Sequence, residues 1–158
     1  MAGESMPKKK KIRVLALGIF RNKGRILVFK GHDSKKNEDF YRPLGGGIKF
    51  GETAKKALRR EVNEELKAEI KKPVLLGVLE NIFVYEGEPG HEITYIYDVQ
   101  FKNQKLYQIK SLAAFEGEND EIHFQAIWIK LSAVKKKRIA LYPDGLLDLL
   151  KNKRSKGG

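Results

Sequence analysis

Cysteine is absent from this 158-residue chain. Its absence excludes disulfide bonds, thiolate catalysis and zinc sites built on sulfur, and it suits a reducing cytosol. Long apolar runs are missing too, since no stretch approaches the roughly 18 residues of a membrane-spanning helix, and no signal-peptide pattern is found. We therefore expect a soluble, cytoplasmic protein with no membrane partner.

The composition fits one compact domain, with 41% hydrophobic and 33% charged residues. A chain of this length can bury one core and is too short for two ordinary domains. Periodicity predicts strands over 14–20, 25–30, 74–85, 92–101 and 124–131, and helices over 53–66 and 143–151. We expect the first two strands to pair through a turn at 21–24 and residues 31–39 to form a polar loop. The pattern indicates an α/β protein.

The predicted helix over 53–66 carries three carboxylates on one face. At 100° per residue, Glu61, Glu64 and Glu65 lie within about one third of the circumference, next to an apolar stripe that can anchor the helix. Like charges so close destabilise a helix unless a cation lies between them. Hard carboxylate oxygens favour Mg²⁺ or Mn²⁺, although an isolated acidic face is more often simply solvated.

A glycine-rich segment leads directly into this helix. Gly45, Gly46 and Gly47 give the backbone the freedom to bring N–H groups close to an anion, although such glycines also occur in ordinary turns. Thr53 is the expected N-cap. Glu52 is favoured by the positive end of the helix dipole and is a candidate ligand or supporting residue of the site.

Together these residues resemble the Nudix box of the Nudix hydrolase (MutT-like) family, whose pattern is Gly-x5-Glu-x7-Arg-Glu-U-x-Glu-Glu-x-Gly-U with U aliphatic. The matching positions are Gly46, Glu52, Arg60, Glu61, Val62, Glu64 and Glu65. Lys67 stands where the pattern has glycine, and Ala68 occupies the last aliphatic position. Glycine would suit a left-handed helix cap there, whereas lysine in that conformation costs on the order of 1 kcal/mol.

The resemblance implies an α/β/α sandwich with a mixed β-sheet over residues 12–150, flanked by a basic flexible N-terminal segment (1–11) and a basic flexible tail (151–158). It also implies a pyrophosphohydrolase, in which water attacks phosphorus and a divalent metal assists the hydrolysis of a phosphoanhydride in a nucleoside diphosphate linked to another moiety. The implied metal ligands are Glu61, Glu64 and Glu65. Arg60 would orient a carboxylate, and Glu52 would support the site.

Other site residues are weaker candidates. In the family the general base is a box glutamate or an acid from a distant loop, so Glu118 and Glu121 join the hypothesis, although such acids are usually just solvated. The glycines 45–47 are expected to bind substrate, and Tyr41, Arg42 and Lys49 could add contacts to the nucleoside or its phosphates.

The positive charge is concentrated at the ends of the chain. Of the net +12, residues 1–13 carry +4 and residues 130–158 carry +7. Such runs attract polyanions nonspecifically, and the first resembles a nuclear-localisation patch, although solubilising ends without a partner are the commoner case. Two alternatives to a small nucleotide substrate therefore stay open: hydrolysis at the 5′ end of RNA, and an inactive nucleotide-binding module. The oligomeric state is also open, a homodimer included.

Overall fold

The computed structural model of the chain describes residues 10–116 and 121–152. In chain order the strands are β1 (Ile12–Ile19), β2 (Arg21–Asn22), β3 (Arg25–Asp33), β4 (Glu38–Gly47), β5 (Ile70–Tyr85), β6 (Glu88–Phe101), β7 (Ser111–Glu116), β8 (Glu121–Lys130) and β9 (Ala140–Leu141). The helices are α1 (Ala54–Leu66), α2 (Leu131–Lys136) and α3 (Leu146–Asn152), with a 3₁₀ helix over Gln104–Gln108.

The strands form a mixed sheet in the order β5-β6-β1-β4-β3-β8-β7, with β2 beside β3 and β9 beside β4. β1 runs parallel to β6, and β4 runs parallel to β9. The other pairs are antiparallel. This mixed sheet confirms the predicted α/β fold class.

Two hydrophobic clusters lie on opposite faces of the sheet. One face packs against α1, whose Leu58 belongs to the same cluster as Ala16 of β1 and Phe29 of β3. The other face packs against α3, whose Leu146 and Leu150 join the strand residues there. The result is the predicted three-layer α/β/α arrangement.

From Leu15 onward strand β1 is buried on both faces, which explains the near-continuous apolar sequence there. Leu15 and Leu17 belong to the cluster on the α3 side, whereas Ala16 belongs to the cluster on the α1 side. Directly after the strand, Phe20 stacks on Phe101 with ring centroids 3.9 Å apart. Side chains of successive residues point to opposite faces of a sheet, so such a run anchors both layers.

The predicted pairing of the first two strands is wrong over most of their length. β2 and β3 pair only next to the turn, at Arg21 with Ile26 and Asn22 with Arg25. Beyond that point β4 lies between β1 and β3. A hairpin signal specifies the residues beside the turn, and it carries no information about a third strand that inserts farther along.

Residues 31–39 are not the long polar loop that their composition predicted. β3 continues to Asp33 and β4 begins at Glu38, which leaves a short turn. Asp33 Oδ1 accepts hydrogen bonds from the backbone N–H groups of Lys35 and Lys36, at 2.9 and 3.0 Å. An aspartate that caps its own turn in this way lets two polar strand ends pair.

Strands β7 and β9 and the 3₁₀ helix were not predicted. The remaining predicted elements are present, with small shifts at their ends. Within the described residues, no helix has the length and apolar character needed to cross a membrane.

Candidate active site

Helix α1 begins and ends as the sequence predicted. The Thr53 hydroxyl accepts a hydrogen bond from the backbone N–H of Lys56 at 3.2 Å and caps the helix. Ala57, Leu58 and Val62 are fully buried against the sheet. This anchoring presents the acidic face of the helix to the glycine-rich end of β4.

Two glycines of β4 let the backbone approach its neighbours closely. A Cβ atom on Gly45, whose φ is +133°, would lie 2.0 Å from the carbonyl oxygen of Ala16 in β1. A Cβ atom on Gly46 would lie 2.5 Å from the carboxylate carbon of Glu61. No side chain fits at either position, so the two glycines allow β4 to pack closely against β1 and against the Glu61 carboxylate.

Arg60 makes hydrogen bonds to several residues of the site. Its Nε and Nη2 atoms donate to the two carboxylate oxygens of Glu52 at 2.8 and 2.9 Å, which is a bidentate pair. Nη1 donates to Glu61 at 2.9 Å and to Glu64 at 3.3 Å. Nη2 also donates to the carbonyl oxygen of Gly47 at 2.9 Å. One guanidinium therefore links three predicted site carboxylates to Gly47, where β4 ends and residues 48–53 turn into α1; we call this end of β4 and the turn after it the glycine turn.

Glu52 is held in its ionised form. Hydrogen bonds from Arg60 and, next in size, from the backbone N–H of Lys49 lower the pKa of Glu52 to about 2. The same contacts with Glu52 and Glu61 raise the pKa of Arg60 above its ordinary value. The pair is thus a fixed structural element of the turn that enters α1.

Glu65 has the opposite environment. Burial raises the pKa of Glu65 to about 8, and the neighbouring Glu61 carboxyl adds to the rise. The charge of Arg42 and the backbone N–H of Gly45 oppose it. The Oε1 atom of Glu65 is enclosed and has no hydrogen-bond partner in the described structure. An enclosed carboxylate oxygen without a partner is costly unless a cation or a ligand group satisfies it.

The donor set fits a divalent cation in its chemistry. Across residues 10–116 and 121–152, no three acidic or histidine side chains are arranged so that they could hold a metal ion. The Arg60 guanidinium lies between the carboxylates of Glu52, Glu61 and Glu64. The adjacent carboxyls of Glu61 and Glu65 nevertheless offer hard oxygen atoms, one of them unpartnered. Glu64 is 56% exposed and can turn towards them. Carboxylate oxygens of this kind are the ligands that Mg²⁺ and Mn²⁺ prefer.

The weaker candidates lie in different places. The Arg42 guanidinium lies 6.0 Å from the ring centroid of Phe29, and its charge acts on Glu65, so it belongs to the neighbourhood of the site. Lys49 contributes its backbone N–H to Glu52 at 3.0 Å. Tyr41 packs into the cluster on the α3 side of the sheet, away from α1.

The predicted distant acids cannot be placed around the site. Glu118 lies outside the described residues, and the backbone of Glu121 opens β8 while its side chain is not described. Their proposed role as general base stays a prediction.

A groove beside the beginning of α1 was not singled out from the sequence. It has a volume of about 510 Å³ and is lined by Val14, Ile48, Lys49, Phe50, Glu52, Ala54, Tyr95 and Tyr97. Phe50 is fully exposed, and Tyr97 is nearly buried. The alternating aromatic residues of 92–101 were the available signal, although such residues more often fill a core.

Asn81 is a second feature that the sequence patterns did not single out. It is 4% exposed, its Oδ1 atom has no hydrogen-bond partner in the described structure, and it lies opposite Glu92 across β5 and β6. Burial raises the pKa of Glu92, whose carboxylate lies 3.9 Å from Arg13. A polar pair, Glu80 and Asn81, within the apolar run 74–85 was the only sequence signal.

Comparison with known proteins agrees with this architecture. A family model described as "NUDIX domain" matches residues 9–150. A NUDIX hydrolase from Nitrosomonas europaea superposes with a TM-score of 0.61 at 13% identity, over 90% of this chain and 88% of that one. A MutT NUDIX hydrolase from Burkholderia pseudomallei gives 0.55 at 21% identity, over 78% and 86%. A MutT protein from Methanosarcina mazei gives 0.56 at 18%, over 94% and 95%. At these identities the structural likeness concerns the fold.

Proposed function

The chain belongs to the NUDIX domain family of hydrolases, and we propose that it hydrolyses a phosphoanhydride bond in a nucleoside diphosphate linked to another moiety. In this reaction water attacks phosphorus and the bond to the leaving phosphate breaks. We assign the reaction to the domain spanning residues 12–150. The observation that carries the proposal is the Arg60 network, which holds Glu52 and Glu61 at the glycine turn, contacts Glu64, and lies beside the unpartnered oxygen of Glu65.

Arg60, the glycines and Glu52 have different roles in the proposed site. Arg60 holds the Glu61 carboxylate next to Gly46, so that acidic oxygens face the backbone of the turn. At Gly47 a Cβ atom would meet nothing nearer than 3.8 Å, so a phosphate group has room to approach the backbone there. Glu52 fixes the orientation of Arg60 through two parallel hydrogen bonds, and it thereby sets the position of Glu61 from outside the acidic cluster.

A divalent metal is part of this proposal. Glu61, Glu64 and Glu65 would hold it. When bound, such an ion neutralises phosphate oxygens and lowers the pKa of a coordinated water. The partly unsatisfied Glu61–Glu65 pair supports this assignment, because an added positive charge would offset the cost of ionising the buried Glu65 carboxyl.

The groove beside α1 supports a substrate with an aromatic or apolar portion. It borders Glu52, and its wall is formed by Phe50, Tyr95 and Val14. Aromatic side chains stack favourably on nucleobases. A nucleoside seated there would have its phosphates at the beginning of the acidic helix.

The proposal is tested with a panel of nucleoside triphosphates, oxidised dGTP, ADP-ribose, sugar nucleotides and dinucleoside polyphosphates, with Mg²⁺ or Mn²⁺ and with the products identified. Glu65→Gln removes the carboxyl group that can ionise and hold the metal but keeps the shape of the side chain. We expect turnover to fall by at least about 100-fold, since loss of a metal-holding carboxylate weakens transition-state charge stabilisation.

Glu69→Gln is the matched control. Glu69 lies just after the same helix, and its exposed carboxylate pairs with Lys102 at 3.4 Å, away from the Arg60 network. Its turnover is expected to match that of the wild type. Full activity in excess chelator would contradict the metal assignment. Folded protein that cleaves no member of the panel, with metal present, would favour a nucleotide-binding module without catalysis.

Hydrolysis at the 5′ end of RNA is the second candidate, and one observation favours it. Two basic runs that are distant in sequence meet at a groove between α2 and α3, which is lined by Lys135, Lys136 and Lys151 together with Leu131, Ser132, Leu147 and Leu150. A groove with several lysines attracts a polyanion, with strong salt dependence.

Neutralising the three lysines tests this candidate. In Lys135→Gln/Lys136→Gln/Lys151→Gln, activity on triphosphorylated RNA should fall several-fold at low salt, whereas activity on free nucleotides should stay unchanged. Equal activity of wild type and variant on RNA across a salt series would rule out a role for this groove.

A further inference from the structure

An apolar surface lies on the α1 side of the sheet, beyond the part that α1 covers. It consists of Ile12 and Val14 of β1 and of Leu75, Val78, Ile82 and Val84 of β5, and we call it the β5 apolar face. Their exposed fractions range from 37% for Val14 to 68% for Ile82. These six residues account for more than half of the large apolar side chains that the described structure leaves exposed.

Strand register shows that these side chains share one face. Val78, Tyr95 and Ala16 lie side by side across β5, β6 and β1, and Ala16 packs against the α1 side. Ile82 is aligned in the same way with His91 and Ile12. Because directly opposite residues of neighbouring strands point the same way, the exposed side chains form one continuous surface.

The surface is large enough to form an interface with a partner. With full exposures on the order of 170–200 Å² per residue, the six residues contribute roughly 500–600 Å², near the upper end for the largest patch of a monomer. Half-buried Ile93 lies between them and extends the patch, whereas Val14 and Tyr95, which wall the groove beside α1, form the border between the patch and that groove. Two such patches together approach the roughly 1,200–2,000 Å² that stable protein–protein interfaces bury.

We propose that the β5 apolar face is the interface of a homodimer, in which two copies pack these faces against each other about a two-fold axis. β5 also lies at the edge of the sheet, where its backbone could pair with another strand. Edge pairing would leave Val78 and Ile82 exposed, because those side chains project perpendicular to the sheet. Face-to-face packing covers them, and a two-fold axis makes the patch self-complementary.

The distribution of charge favours a second copy at this place. The chain carries a net +12, which makes most contacts between copies repulsive, yet residues 73–101 contain no lysine or arginine. On the β5 apolar face the acidic residue is Glu80, which pairs with His91 at 3.1 Å. The chain's own residues 1–9, which precede Ile12, are a poorer cover, since they end in two lysines and their large apolar side chains are two methionines.

Matched lysine substitutions test the proposal on the full chain. Ile82→Lys places a charge in the β5 apolar face. Val74→Lys places the same charge on the same strand but on the opposite face, where Val74 aligns with Asp98 and Ile19, and Val74 is 59% exposed. Molar mass is measured by light scattering after size-exclusion chromatography over a concentration series, and folding is checked by circular dichroism.

We expect wild type and Val74→Lys to have twice the 18.0 kDa chain mass, and Ile82→Lys to have the mass of a monomer with an unchanged fold. Val78→Lys serves in place of Ile82→Lys if the latter does not fold. A monomeric wild type at every concentration would overturn the proposal. So would a dimer that survives both Ile82→Lys and Val78→Lys, since the interface would then lie elsewhere.

Discussion

Replacing Lys67 by glycine and, separately, by alanine measures the backbone strain at the end of α1. Lys67 has φ 53° and ψ 38°, and its N–H donates to the carbonyl oxygen of Asn63 at 2.8 Å. A residue with a Cβ atom in this left-handed conformation is destabilised by roughly 1–2 kcal/mol. Glycine escapes that penalty but loses about 0.4–1 kcal/mol through its more flexible unfolded chain. The glycine variant should therefore be more stable than the alanine variant by about 1 kcal/mol.

The wild type should fall between the two variants. The Lys67 ammonium lies 5.2 Å from the ring centroid of Phe115, a contact worth about 0.5–1 kcal/mol at an exposed site. Alanine loses this contact and keeps the strain, whereas glycine loses the contact and the strain together. Comparison of the two variants with each other removes the side-chain contact from the result.

Urea unfolding gives the free energy of unfolding of each variant, and thermal unfolding gives a second reading. For a chain of this size, 1 kcal/mol corresponds to a shift of about 2–4 °C in Tm. The control is the same pair of substitutions at Asn63, which is exposed inside α1. In a helix interior glycine is less stable than alanine by about 0.8–1.0 kcal/mol, so the order should reverse. If alanine is as stable as glycine at position 67, the reasoning about strain is refuted.

Two further predictions concern the site. Gly46→Ala should lower kcat/KM at least about 10-fold and leave the fold intact, because the new Cβ would displace the Glu61 carboxylate, which lies 2.5 Å away. Gly47→Ala should lower kcat/KM less, since its Cβ would meet nothing nearer than 3.8 Å, and an equal loss in both variants would contradict the steric explanation. Because the pKa of Glu52 is lowered from 4.5 to about 2, its pairing with Arg60 should stabilise the fold fully above about pH 5 and lose that effect as the pH falls towards 2. The difference in unfolding free energy between wild type and Glu52→Gln, measured by urea unfolding at several pH values, should shrink over that range, and a constant difference would contradict the ionised pair.

Local sequence signals predicted the elements around the site well. Thr53 and the spacing of Leu58 and Val62 fixed the beginning and the buried face of α1, because a cap and a period of 3.6 are both properties of a few neighbouring residues. The conformation after α1 was left open, because lysine stands where the family pattern has glycine, and Lys67 adopts the left-handed conformation. These features depend on contacts within one or two turns of the chain.

Features that depend on distant partners could not be predicted. β4 lies between β1 and β3, and the lack of a side chain at Gly45 lets the β4 backbone come close to Ala16 of β1. The sequence of either segment alone does not predict that contact. The enclosure of Glu65 Oε1 likewise arises from the packing of α1 against β4, whereas the helix pattern placed Glu65 and Glu64 together as equals. Their environments in the fold differ.

Arg60 resolves a problem that the sequence raised about the acidic helix. Three glutamates on one face require a positive charge, and the expected source was a metal ion. In the structure Arg60 supplies it for Glu52, Glu61 and Glu64, with Nε and both Nη atoms committed to these partners and to the carbonyl of Gly47.

A lysine cannot replace this group, because an ammonium is a point charge without the fork that engages both Glu52 oxygens. The helix can thus fold before any cation binds, and the carboxyl that Arg60 does not reach is Glu65, the one with the unpartnered oxygen. A cation is therefore required at Glu65, beside the glycine turn where a phosphate would bind, and not along the whole acidic face.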